Sequence, residues 1–167
     1  MSVDENSVKR LLQSDEPNYG AVARLGPAVV PILARLVSSS DPRLAAAAAS
    51  AAGLVQHPGA ADAVARAAQS PSSIVRLAAA GAARNLQGPA VNRVLHSLLA
   101  DADQGVRKFA IKAAVARPHD ASLVARVRSI HSSDPSAANR TLAQRALAFA
   151  ERRQSGDGED DSGNNIA

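Results

Sequence analysis

The chain has 167 residues, enough to bury a core, and its 46% apolar and 20% charged content is the ordinary balance of a soluble globular protein. Its aromatic residues are Tyr19, Phe109 and Phe149, too few for a β-sandwich or barrel, and the lack of cysteine excludes disulfides and thiolate metal sites. The net charge of +4 is uneven: residues 1–16 sum to −2, residues 155–167 to −4, and the body between them carries 17 basic against 7 acidic residues.

The N-terminus carries Asp4 and Glu5 and no apolar run, so no signal peptide is expected, and a cytoplasmic location follows. Ser2-Val3-Asp4-Glu5 has the form of a capping box, with Val8, Leu11 and Leu12 at helical spacing behind it. That predicts a helix over about 3–13 and, after Ser14-Asp15-Glu16-Pro17, a second over 18–25; together they form an N-terminal capping pair, 1–26. Beyond Gly26-Pro27, clusters of Pro, Gly, Ser and Asp separate runs of about three turns. These runs pair as 28–37 with 42–55, 60–69 with 74–86, 89–100 with 105–116, and 121–132 with 136–153. Repeats are therefore placed at 27–57, 58–87, 88–118 and 119–153. The first helices carry apolar stripes (Leu33, Leu36 and Val37 in one, Val94, Leu95, Leu98 and Leu99 in another), while the second are rich in alanine, which permits close helix approach. Residues 154–167 have no periodic apolar residue and read as a disordered acidic tail on a solenoid spanning 1–153.

Arg43, Arg76, Arg107 and Arg140 recur at intervals of 33, 31 and 33 residues, the signature of a stacked repeat array. Alanines follow three and six positions later: Ala46 and Ala49, Ala79 and Ala82, Ala110 and Ala113, Ala143 and Ala146. Each arginine is read as structural, since one guanidinium fork can satisfy loop carbonyls and a carboxylate together.

Leu25-Gly26-Pro27-Ala28-Val29-Val30-Pro31-Ile32-Leu33 and Ala102-Asp103-Gln104-Gly105-Val106-Arg107-Lys108-Phe109-Ala110 resemble the first-helix entry and the turn and second helix of the HEAT and HEAT-like repeat family. The resemblance covers about residues 18–150 and suits the short, bacterial-style repeat. It implies an all-α, right-handed α-solenoid of about five antiparallel helix pairs, with the second helices on the concave face. It also implies that turn aspartates, here Asp41, Asp103 and Asp134, pair with the arginine of a neighbouring repeat. The second repeat has Ser72-Ser73 instead, so that ladder is incomplete.

On each second helix, the positions one, five and eight after the arginine share a stripe. They are Leu44, Ala48 and Ala51, then Leu77, Gly81 and Arg84, then Lys108, Lys112 and Val115, then Thr141, Arg145 and Ala148. The partner-binding residues are accordingly placed at Leu44, Leu77, Arg84, Lys108, Lys112 and Arg145, in a groove that is apolar at its N-terminal end and basic further along. A protein or peptide with acidic groups fits such a groove. The reading is a non-catalytic scaffold or adaptor, with no membrane association, and it leaves the oligomeric state open.

Two alternatives stay open. The basic surface suits nucleic acid, though aromatic stacking platforms are missing. The resemblance also admits a HEAT-like lyase or glycosylase-type enzyme, because alkylated-base glycosylases and phycobilin lyases include HEAT-like members. Against an enzyme, His57, His96, His119 and His131 show no metal-ligand spacing, and His119-Asp120 and His131 with Asp134 are neighbours by proximity only. No catalytic residue, metal or cofactor is assigned.

Overall fold

The computed structural model describes residues 3–117 and 120–154, all of it helix and connecting turn, with no strand among the described residues. Pro118, His119 and the segment 155–167 lie outside the described residues, and with them the expected disordered tail and the His119-Asp120 pair; Ser2 of the capping box does too. The helices are α1 (Glu5–Gln13), α2 (Tyr19–Ala23), α3 (Val30–Leu36, entered through a 3-10 turn at Gly26–Val29), α4 (Pro42–Ala52) and α5 (Pro58–Ala67). They continue with α6 (Ser73–Ala83), α7 (Pro89–Leu98), α8 (Gln104–Ala114), α9 (Ala121–Ser133) and α10 (Ala137–Gln154).

Local chemistry starts each helix. Asp4, Asn18, Asp41, Asp103 and Asp120 accept backbone N–H groups of the first turns behind them, and the His57 ring Nδ1 accepts from Gly59 N at 3.1 Å. Pro42, Pro58 and Pro89 occupy first-turn positions, where the missing N–H costs nothing. Gly88, at φ +106, turns the chain into α7 through a backbone conformation closed to most residues.

The helices stack in two layers. One joins α3 to α5, α5 to α7 and α7 to α9; the other joins α4 to α6, α6 to α8 and α8 to α10. The second layer makes the more extensive contacts, because its facing rows are alanine: Ala48, Ala79, Ala110 and Ala143 are fully buried, and Ala51, Ala82, Ala113 and Ala146 lie beside them. Closer approach in one layer bends the stack toward it, so the second helices form the inner face of an α-solenoid built from HEAT-like helical pairs. At the N-terminal end α1 and α2 both pack on α4.

The repeat register differs from the arginine spacing by two residues in the first repeat. The N–H groups of Arg76, Arg107 and Arg140 bond the carbonyls of Ser72, Asp103 and Ser136, closing the first helical turn. In α4 the equivalent bond runs from Ala45 to Asp41, so Ala45 occupies the arginine position and Arg43 lies two residues ahead of it. The physical reason is that the alanine run 45–49 matches the repeat pattern at several offsets, whereas the cap can sit in one place only.

Arg76 and Arg107 each bridge two repeats. Arg76 donates from Nε and Nη2 to the two Asp101 carboxylate oxygens at 2.7 and 3.1 Å, and from Nη1 to the Ser70 and Pro71 carbonyls. Arg107 makes the same fork to Asp134 at 2.7 and 2.9 Å, with Nη1 on the carbonyls of Asp101 and Ala102. Arg140 donates Nη1 to the Asp134 and Pro135 carbonyls. The ladder aspartates are thus Asp101 and Asp134. Asp41 and Asp103 cap helices instead, and Arg43 makes no side-chain hydrogen bond among the described residues.

Arg117 is a clamp that the repeat pattern does not reveal. It is buried and donates to the Ala113 carbonyl at 2.9 Å, to the Ala83 carbonyl at 2.6 Å and to the Leu86 carbonyl, tying the ends of α6 and α8 together. Burial lowers its pKa from the ordinary arginine value, partly offset by Asp120.

Candidate functional site

With the register set by the caps, two rows face inward from the second helices. One is Ala46, Leu77, Lys108 and Thr141; the other is Ser50, Gly81, Lys112 and Arg145. Lys108, Lys112, Thr141 and Arg145 are exposed, and Leu77, Gly81, Ala46 and Ser50 are half-buried. Leu44 does not face this groove as its place after Arg43 implied: it is 6% exposed and aligns with the buried Val75, Val106 and Asn139. Ala48 and Ala51 are fully buried for the same reason, and Ala46 and Ser50 take their places. Arg84 is exposed at the C-terminal end of α6, beside the groove rather than on either row.

The basic strip also carries a ring. Phe109 is 36% exposed on α8 and leans over Gly81, where an added Cβ would lie 3.7 Å from the ring. Lys112 Nζ sits 5.5 Å from the Phe109 ring centroid, a cation–π contact that holds the ammonium over the groove. No ion pair among the described residues joins Arg84, Lys108, Lys112 or Arg145 to a carboxylate.

At its N-terminal end the groove deepens into a cavity of about 530 Å³ between the α1–α2 turn and α4. Ala46 and Ser50 bring the two rows into it, and Leu12, Pro17 and Ile74 supply apolar walls, with Leu44 at its edge. Ile74 is 58% exposed, an unusual position for so large an apolar side chain. Asp15, Tyr19, Asp41 and Arg43 add polar groups, and the unbonded Arg43 guanidinium is the cation among them. The register shift therefore moves Arg43 from the inter-repeat ladder to this wall. Among the sequence-named residues, the groove unites Leu77, Lys108, Lys112 and Arg145; the cavity residues Asp15, Tyr19 and Ser50 carry no repeat signal and were legible only once α1 and α2 were seen against α4.

The histidines serve the scaffold. His96 Nε2 lies 2.9 Å from Ser122 Oγ, which donates to Asp120 at 2.6 Å, and Asn92 also donates to Asp120, so this network joins α7 to α9. The Ser122 hydrogen bond, with two backbone bonds and the nearby His96, holds the Asp120 carboxyl below its ordinary pKa despite burial. His131 Nδ1 lies 3.3 Å from the Arg140 carbonyl. Among the described residues no three His, Asp or Glu side chains gather as metal ligands. No described helix is long and apolar enough to cross a membrane.

No protein-family model matches the chain, and no curated protein sequence does. Solved structures do. One is the complex of CpcE and CpcF of phycocyanin lyase from Nostoc, similar with a TM-score of 0.71 at 20% identity over 85% of this chain and 96% of that one. Human deoxyhypusine hydroxylase in complex with glycerol is similar with a TM-score of 0.55 at 17% identity over 89% of this chain and 74% of that one. Both are HEAT-like helical repeats, and the likeness establishes the fold. It also corrects one expectation. The chain was read as non-catalytic because no acid–base pair or metal motif stood out in the sequence, yet these neighbours of the fold are a lyase and a hydroxylase.

Proposed function

We propose that the chain is a subunit of a lyase-type enzyme that holds a protein partner along its inner face and the reacting group in the adjoining cavity. The observation that carries this reading is their continuity: the rows holding Lys108, Lys112 and Arg145 run through Leu77 and Gly81 into the cavity beside Arg43, Asp15 and Tyr19. The strip has no carboxylate of its own to neutralise it, so it suits an acidic protein surface. The likeness to a component of a two-protein lyase complex, nearly all of whose length is covered, supports a protein partner and this reaction class.

A lyase makes or breaks a bond by addition or elimination, so the site needs an anchor, a proton acceptor and a proton donor rather than a hydrolytic water. Arg43 anchors an anionic group of the substrate, Asp15 accepts the proton and the Tyr19 hydroxyl donates one, while Leu12, Pro17 and Ile74 limit water around the reacting bond.

The experiment is quantitative capture from extracts of the native source with the wild-type chain and with Lys108→Glu, Lys112→Glu, Arg145→Glu combined. These side chains are exposed, so the variant retains the wild-type circular dichroism spectrum and melting temperature. Reversal is expected to lower enrichment of the partner by about tenfold or more. A partner captured equally by both forms contradicts the groove.

A further inference from the structure

We infer that residues 155–167 of the same chain occupy the basic strip when no partner does, as an intramolecular stand-in for an acidic protein surface. The argument begins on α10. Arg145 and Arg152 are seven residues apart, two turns, and so lie on one side of the helix; both are exposed and neither is ion-paired with a described carboxylate. This pair extends the strip of Lys108 and Lys112 from α8 to the C-terminal end of α10, where the segment begins.

That segment carries Asp157, Glu159, Asp160 and Asp161 and no basic residue, a net −4 beside four exposed cations. Length permits the contact. Thirteen residues span at most about 45 Å, whereas Arg145 lies about 14 Å back along α10 from its end and Lys112 one helix spacing, about 10 Å, to the side. Attachment to α10 supplies an effective concentration on the order of millimolar, so ion pairs too weak to hold a free peptide are populated within one molecule. Arg126 and Arg128 are the competing cations, but α9 carries them in the other helix layer. The consequence, that an acidic partner must displace the segment, rests on the function proposed above; the docking does not.

The test compares amide and side-chain nuclear magnetic resonance spectra of the full chain and a chain ending at Gln154. Docking predicts shifts at Lys108, Lys112 and Arg145 that vanish at about 0.5 M salt and return when a synthetic peptide of residues 155–167 is added to the shortened chain. Lys112→Glu with Arg145→Glu in the full chain abolishes them. Shifts confined to residues 150–154, or centred on Arg126 and Arg128, overturn the inference. In parallel, poly-L-glutamate is expected to bind the shortened chain about tenfold more tightly than the full one. Equal affinity overturns displacement. Poly-L-glutamate binding to neither form, with the docking shifts present, contradicts the acidic-partner reading alone and leaves the docking standing.

Discussion

Asp134 carries two interfaces at once: its carboxylate takes the Arg107 fork, its Oδ1 also accepts the Ser136 N–H at 2.8 Å, and its carbonyl receives Arg140. The Arg107 hydrogen bond holds its carboxyl below the ordinary aspartate value, against burial that raises it. A native pKa below the unfolded one means the group stabilises the fold fully above the unfolded carboxylate's value of about 4, and the contribution is lost as pH falls through the lower native value. Asp134→Asn is therefore expected to cost about 2–3 kcal/mol at neutral pH, because it leaves Arg107 with a neutral partner in a part-buried site. Urea titrations at several pH values check this: the variant should lose less stability than the wild type below about pH 4. An unchanged acid limb contradicts the assignment. At this scale the sequence shows Arg76, Arg107 and Arg140 by their spacing, but it does not show which carboxylate each reaches. Asp101 and Asp103 are two residues apart, and only the folded turn decides that one takes the fork and the other the cap. Arg117 gave no signal at all, since its partners are backbone carbonyls, which every residue possesses.

The helices themselves were legible from breakers, caps and apolar stripes, and their pairing from the alternation of stripe-bearing and alanine-rich runs. Element α4 shows where that legibility ends. An alanine run satisfies the repeat pattern at any offset, and placing its register two residues off turned the buried Leu44 into a groove residue and hid Ser50. The contact between α4 and α6 then depends on a glycine rather than on a ladder pair. A Cβ on Gly53 would lie 2.6 Å from the Ala82 Cα and Cβ, so the two backbones meet there directly. Gly53→Ala should force the helices apart and cost about 1–3 kcal/mol by overpacking, read as a lower thermal midpoint. An equal or higher midpoint, as helix propensity alone would give, contradicts this close contact.

For the whole molecule, composition and period sufficed for an all-α repeat array, and the uneven charge pointed to a basic body. Catalysis was not legible, because Asp15 and Tyr19 belong to the first helix pair, Arg43 and Ser50 to the next, and the two meet only through the packing of α1 and α2 on α4. A site assembled between repeats has no motif of its own. The account's central claim is that this cavity performs an addition or elimination on a group carried by the partner held in the groove. The most direct measurement is the intact mass of the captured partner after incubation with wild type, Arg43→Ala, or Ser50→Trp, which fills the cavity and leaves the basic strip untouched. The account predicts a mass gained or lost as one whole group with wild type, and an unaltered mass with both variants despite undiminished capture. A partner whose mass is the same after all three incubations, or one converted equally by all three, would contradict it.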